Sequence, residues 1–446
     1  MLKNQPWLRI AHDIMTEYEQ CLMEGKDVSS YKPLCEAIAH GITDDDRRDI
    51  EDAIEVICDA MRAHPVRADY PYVEPSDYES IIAASPSAKA APVLPALPEN
   101  LKDHIKGAWY GRIAGCLLGK PVEGWRSELM WPVLKESNNY PLNRYFFRRD
   151  IPEHFFEEKK VWSGACFADQ INNCMPIDDD TNYTTFAMKL VERYGRDFKP
   201  MDVMEAWMTW IPMLATCTAE RAAYRNAALG LLPPETASYK NPYREWIGAQ
   251  IRGDFFGYCN PGNPAAAASM AFRDASISHV KNGIYGEMFI SAMNAAAACT
   301  NDIRKIIETG LAYVPEKSRL RADVDEIIAL YDAGKTVDDA IAHIHSRYDE
   351  HTANGWCYTN SNAMIVTMGL LWGNGDFGKS ICIAVQACFD TDCNGATVGS
   401  IVGMMNAGIP EEWIAPFGGN LRTSIDGYNH VTVDFLAEHT MTLLGK

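Results

Sequence analysis

Seven glycines at fixed spacing constrain this chain more than any other feature in it. In GAWYGRIAGCLLGKPVEGW, Gly107, Gly111, Gly115 and Gly119 recur every four residues, and Gly395, Gly399 and Gly403 repeat the interval in CFDTDCNGATVGSIVGMM. On a helix of about 3.6 residues per turn, that interval lays the glycines along one narrow, slowly drifting stripe. Each glycine costs a helix interior about 1 kcal/mol relative to alanine, so a register of them needs a compensating gain. Close approach of two helices supplies it, a device also used between membrane helices. Taken alone, the stripes fit a packing role as well as a site. Their neighbours point further. The first stripe runs into Pro121, Val122 and Glu123, and the second follows Asp390 and Asp392. Carboxylates at the ends of two tightly packed central helices would converge in one place.

A third acidic group lies in MPIDDDTNYTTFAMKLVERYG, where Asp178, Asp179 and Asp180 precede a helical face made by Tyr183, Phe186, Ala187, Leu190, Val191 and Tyr194, with Gly195 as the stop. One aspartate there is an ordinary N-cap. Capping does not require three adjacent carboxylates, whose repulsion raises their pKa values unless a cation neutralises them. Oxygen donors suit Mg²⁺, Mn²⁺ or Ca²⁺, whereas zinc draws on His or Cys, so Mg²⁺ or Mn²⁺ is expected. Asp178, Asp179, Asp180, Asp390 and Asp392 exceed what one Mg²⁺ takes from protein, and two metals would use them better.

Composition narrows the partners. A balance of 41 basic against 60 acidic residues, net -19, works against nonspecific binding of a polyphosphate backbone, and nucleic acid is excluded as an expected partner. No apolar run approaches the roughly 20 residues that span a bilayer, so no membrane role is expected. The 13 cysteines form no CxxC pair and MLKNQPWLRIAHDIM does not read as a signal peptide, which predicts reduced thiols and a cytoplasmic location. Residues 1–83 read as a small helical accessory region, with Ile50, Ile54, Ile57 and Met61 at helical spacing. The Ala/Pro-rich stretch 84–99 reads as a linker, and 100–446 as a catalytic domain without the strand succession of a parallel sheet. The fold class expected is all-α.

Four segments in order resemble the ADP-ribosylglycohydrolase family, over about Gly107 to Trp413: GRIAGCLLGKPVEG, IDDDTNYT, AFRDASISHVKNGIYGEMF and FDTDCNGATVGSIVG. The resemblance implies a compact orthogonal helical bundle with two Mg²⁺ or Mn²⁺. It makes Asp179, Asp180, Asp390 and Asp392 metal ligands, with Asp392 bridging and Asp178 beside them. It places Glu123 next to the attacking water, His279 in the substrate cleft, and Tyr285 in the same central stretch as a substrate contact. Asn260, in the turn-like GYCNPGNP, can line the cleft or serve the turn alone. Trp109, Trp125 and Trp131 can stack on a base or sugar, with core packing expected for at least one.

The activity so implied is hydrolysis at the anomeric carbon of a ribose-like sugar, with Glu123 or the metal-bound Asp180 accepting the proton of the attacking water. The substrate expected is a small-molecule or protein-linked glycoside, in the first instance ADP-ribosyl. Three positions depart from the family pattern: Asp178 replaces a serine or threonine, Cys393 a threonine, and Cys116 an acidic residue. These favour the alternative of a glycosidase acting on another N- or O-glycoside. A non-catalytic binder has little use for five aspartates whose burial costs stability without metal. Oligomeric state is not legible in the sequence.

Overall fold

Both glycine-rich segments are helices, and they lie backbone against backbone. The computed structural model describes residues 5–161 and 166–445. In chain order its principal helices are α1 (Ile14–Met23), α2 (Leu101–Gly119), α3 (Asp179–Tyr194), α4 (Thr218–Ala228), α5 (Pro264–Ala275), α6 (Asn282–Ala297), α7 (Arg319–Asp332), α8 (Thr359–Gly373), α9 (Phe377–Gln386), α10 (Thr391–Met405) and α11 (Val433–Leu443). The all-α expectation is met. Strand among the described residues is confined to one short antiparallel pair, β1 (Asn420–Arg422) with β2 (His430–Thr432), and isolated bridges.

A methyl group added at Gly107, Gly111, Gly115 or Gly119 would fall well inside 3.0 Å of the backbone at Gly403, Gly399, Gly395 and Thr391 respectively. The reverse additions at Gly395, Gly399 and Gly403 meet the carbonyl oxygens of Gly115, Gly111 and Gly107. Partner numbers fall on one helix as they rise on the other, so α2 and α10 are antiparallel. The C-terminal end of α2 therefore stands beside the N-terminal end of α10.

Around this pair the core is built from helices apolar on every side, as central helices must be. All of α6 and α10, and nearly all of α8, are buried. The α9 helix packs on α8 and α10, α11 on α2, and α5 on α6. Trp109 of α2 is fully buried and donates from Nε1 to Thr440 Oγ1 on α11 at 3.1 Å, which gives it to the core.

Residues 10–61 close a second apolar cluster of their own, including Ile14, Cys21, Ile54, Cys58 and Met61. Ile81 and Leu94 join the main core instead. Within 84–99, Pro86–Ala90 forms a 3-10 turn, and the carbonyl of Ala84 accepts from the backbone of Glu316 at 3.0 Å. Buried charges seam the two clusters together. Arg244 pairs with Glu24 at 2.7 Å and Glu17 at 3.0 Å, while Arg319 pairs with Glu74 at 2.7 Å and Glu245 at 2.8 Å.

Candidate active site

The antiparallel glycine contact delivers Lys120–Glu123 and Asp390–Asp392 to the same end of the molecule, and the start of α3 brings Asp178–Asp180 to it. Asp178 is the N-cap of α3: its Oδ1 accepts from the Asp180 amide at 2.9 Å. Its other oxygen accepts from Lys120 Nζ at 2.6 Å. Capping thus explains one aspartate of the three. Asp390 stands in the N-cap position of α10, yet its carboxylate makes no capping bond. Cys388 and Phe389 precede it in the left-handed region, at φ 67° and 61°. Non-glycine residues held there cost of order 1–3 kcal/mol each and cluster at functional sites. Here they turn the chain so that α10 begins at Asp390.

Arg112, wholly buried on α2, locks the arrangement. It donates to Asp180 Oδ1 at 2.9 Å, to the Asp180 carbonyl at 3.0 Å and to Asp254 Oδ2 at 2.8 Å. Asn362 of α8 accepts from the Asp390 amide at 3.2 Å and from Asn394 at 2.7 Å. The Thr391 hydroxyl donates to the Gly119 carbonyl at 2.9 Å, fastening the mouth of α10 to the end of α2. Three groups of ligand atoms, each within 4.8 Å of one another, follow in a string: Cys116, Asp178 and Asp180; Asp180, Asp392 and Cys393; Asp392, Asp390 and Glu123. Asp179 is outside these groups, half-buried at the edge.

The carboxylates are under electrostatic stress. Burial, then the charges of Asp178 and Asp392, push Asp179 up to about 7. Burial and Asp178 push Asp392 up to about 6. Asp180 rises well above the carboxylate range through burial, with Asp178 and Asp392 adding to it against the opposing charge of Arg112. Asp390 rises well above it by burial and by Asp392. Glu123 rises chiefly through the charge of Asp392 and then by burial; it is open to solvent on one side while protein atoms crowd the others. Asp178 alone is lowered: burial opposes it, but the Lys120 ammonium and its hydrogen bond prevail.

Asp180 Oδ2, Asp390 Oδ1 and Asp392 Oδ1 are buried without a hydrogen-bond partner. Buried acceptors left unmatched cost stability, and a carboxylate has only acceptor sites when ionised. A cation is the partner that such a donor set fits. Exposure grades outward from Asp180, Asp390 and Asp392 through Asp179 to Glu123, so the cluster meets solvent on the Glu123 side.

The three residues expected to touch substrate are outside the three groups of ligand atoms. Asn260 is buried, donates to the Phe256 carbonyl at 2.8 Å and accepts from Arg196, which makes it the lock of its own turn. Tyr285 donates to the carbonyl of Pro75, in the seam with the N-terminal region. His279 is buried with Nδ1 2.8 Å from Ser278 Oγ, and burial together with Arg252 holds it neutral, well below the usual histidine range. The neighbouring Ser278 hydroxyl accepts from Arg252 at 3.0 Å, and Arg252 pairs with Glu220 at 2.6 Å. Trp125 packs edge-on to Phe146, and Trp131 donates to the Gln386 carbonyl at 3.0 Å. A cavity of about 540 Å³ lined by Asn143, Tyr145, Lys379 and Trp413 shares no residue with the cluster.

Arg112, Lys120, Asp254 and Asn362 join the cluster through hydrogen bonds that no acidic motif announces. Arg112 and Lys120 lie inside the glycine motif itself, which was the available signal.

A family model described as ADP-ribosylglycohydrolase matches residues 97–442, and the chain belongs to the ADP-ribosylglycohydrolase family. It is accordingly a glycohydrolase, a hydrolytic enzyme. Among solved structures, a chain from an ADP-ribosylglycohydrolase-related protein complex is similar at 16% identity, covering 78% of this chain and 98% of that one with a TM-score of 0.47. No curated protein sequence matches. No helix among the described residues is long and apolar enough to cross a membrane.

Proposed function

We propose that this glycohydrolase cleaves the bond at the anomeric carbon of a ribose-like sugar in an ADP-ribosylated substrate, with two Mg²⁺ or Mn²⁺ at the acidic cluster. One observation carries the reading: carboxylate oxygens from two distant motifs, Asp180 Oδ2, Asp390 Oδ1 and Asp392 Oδ1, are buried together and have no partner. Asp180, Asp390 and Asp392 would hold the ions, with Asp392 between the groups, Asp178 turned toward Lys120 and Asp179 at the outer edge. When bound, such ions orient neighbouring sugar hydroxyls, act as Lewis acids and lower the pKa of water.

The chain itself supplies the rest. Arg112 fixes one oxygen of Asp180 and leaves the other free. Glu123, on the open side, is placed to take the proton of an attacking water as the bond breaks through an oxocarbenium-like state. Asp180 is too enclosed to exchange that proton with solvent, so Glu123 is the better acceptor. The thirteen cysteines, none of them bonded in a disulfide, support a reducing, cytoplasmic setting.

The pairing of Lys120 with Asp178 and the thiols of Cys116 and Cys393 favour a second reading, a glycosidase of the same fold acting on another N- or O-glycoside. A hydrolysis panel decides between them. ADP-ribosyl proteins and ADP-ribosyl small molecules are offered beside simple N- and O-glycosides, with Mg²⁺ or Mn²⁺ present. Turnover of ADP-ribosyl substrates alone supports the first reading. Turnover of simple glycosides alone replaces it with the second.

A further inference from the structure

Sulfur faces the carboxylate cluster as well as oxygen. Cys116 Sγ lies within 4.8 Å of ligand oxygens of Asp178 and Asp180, and Cys393 Sγ within the same distance of ligand oxygens of Asp180 and Asp392. All five residues are buried. Cys357 directs its thiol to Asp390 Oδ2 at 3.8 Å. Asp180 belongs to both sulfur-containing sets, and its Oδ2 and Asp392 Oδ1 are without partners. Packing alone accounts for the thiols but not for those oxygens. A hard cation accounts for the oxygens but makes little use of sulfur, which prefers softer ions.

We propose that this cluster is also a thiol-assisted site for a borderline divalent cation such as Zn²⁺ or Co²⁺, held by Cys116 with Asp178 and Asp180 or by Cys393 with Asp180 and Asp392. The proposal rests on the reading of the cluster as a metal centre and adds to it a second class of ion. On binding, the S–H bond breaks, a metal–sulfur bond forms and the proton passes to solvent; no electron is transferred. The Lys120 ammonium, paired to Asp178 at 2.6 Å, is displaced toward solvent when the Cys116 set is the one used. The Cys393 set needs no such displacement.

The test is spectroscopic and independent of turnover. The full chain, stripped of metal, is titrated with one equivalent of Co²⁺, and the near-ultraviolet sulfur-to-cobalt charge-transfer band is recorded. The band is expected in the natural chain and is lost in Cys116→Ser/Cys393→Ser, while Mn²⁺ still raises the melting temperature of that variant. Zinc K-edge absorption on the natural chain with one equivalent of Zn²⁺ needs no variant, and a sulfur neighbour at about 2.3 Å is expected. Co²⁺ binding without the band, a band that survives in the double variant, or zinc with oxygen and nitrogen neighbours only would overturn the proposal. The metal-centre reading stands in those cases if Mn²⁺ still stabilises the chain. Absence of stabilisation by any divalent ion removes both.

Discussion

Asp392 has one oxygen without a partner and a neighbour in each of two carboxylate groups, which makes it the most informative residue to change. Burial and the charge of Asp178 both disfavour its ionised form in the metal-free fold. Asp392→Ala should therefore leave the metal-free chain at least as stable as the natural one, because a repelling charge is gone, while metal affinity and turnover fall by at least about 100-fold. Thermal melts with and without Mn²⁺ check this, and an unchanged Mn²⁺ shift counts against the site. Acidity gives a second prediction at this scale. In the metal-free fold Asp392 is pushed up to about 6 and Asp179 up to about 7, from an ordinary 3.8, so the native state holds more protons than the unfolded chain between those values. The stability linked to these protons is complete below about 4 and is lost as pH rises through 6 and 7. Metal must displace the same protons, so affinity should climb over that interval. Isothermal titration with Mn²⁺ at pH 5.5 to 8 reads it, and a flat profile contradicts it. Lys120→Met removes the one ammonium paired with Asp178, leaving a buried carboxylate unpaired. A loss of about 3–5 kcal/mol is expected in chemical denaturation without metal, partly recovered with Mn²⁺.

Helices explain why the glycines were readable in advance and the arginine was not. A repeat of four on a helix has one strong physical meaning, close backbone contact, and α2 against α10 fulfils it. Arg112 sits in the same motif, but a lone arginine in a helical sequence reads as a solvated charge; only folding shows Asp180, Thr184, Asp254 and the Ile251 carbonyl around it. Asn260, His279 and Tyr285 show a different difficulty. A polar residue buried in a core and one facing a cleft look alike in sequence, and His279 Nε2 is buried without a partner while Asn260 and Tyr285 bond to backbone carbonyls. The glycine contact itself is testable. Gly399→Leu forces a branched side chain onto the Gly111 carbonyl, so the loss should exceed the 1–3 kcal/mol of ordinary overpacking, with metal affinity falling as the ends of α2 and α10 part. Gly41, at the end of the Lys32–Gly41 helix, has no atom within 4 Å of an added methyl, and Gly41→Ala serves as the control with no loss. Urea denaturation of the two variants compares them; equal stability would deny the close contact any role.

Across the whole molecule, the N-terminal cluster and the catalytic body are joined by charges that no local reading of the sequence connects. The composition break at 84–99 suggests a separable region, because Ala and Pro displace periodic helix there. Yet Glu17 and Glu24 find Arg244 some 220 residues away, and Gln20 donates to Glu245 at 2.7 Å. Glu245 in turn pairs with Arg319, which also holds Glu74. Glu24 is drawn below the usual carboxylate range: burial opposes this, but the charges of Arg244 and Lys281 outweigh it. Such a seam is costly to break from one side, since the surviving charges stay buried with fewer partners. Arg244→Met removes the closest partner of Glu17 and Glu24 and leaves them Arg62 at 3.2 Å, Lys26 at 3.5 Å and Lys281 at 3.6 Å, so the loss should fall below the about 3–5 kcal/mol of a fully stranded buried charge. The form of the transition is as telling as its position. If the seam makes one cooperative unit, calorimetry of the natural chain shows a single transition and Arg244→Met lowers it as a whole. Two separate transitions, with only the smaller one shifted by the substitution, would mean that residues 10–61 melt on their own and that the ionic seam does not couple them to the catalytic body.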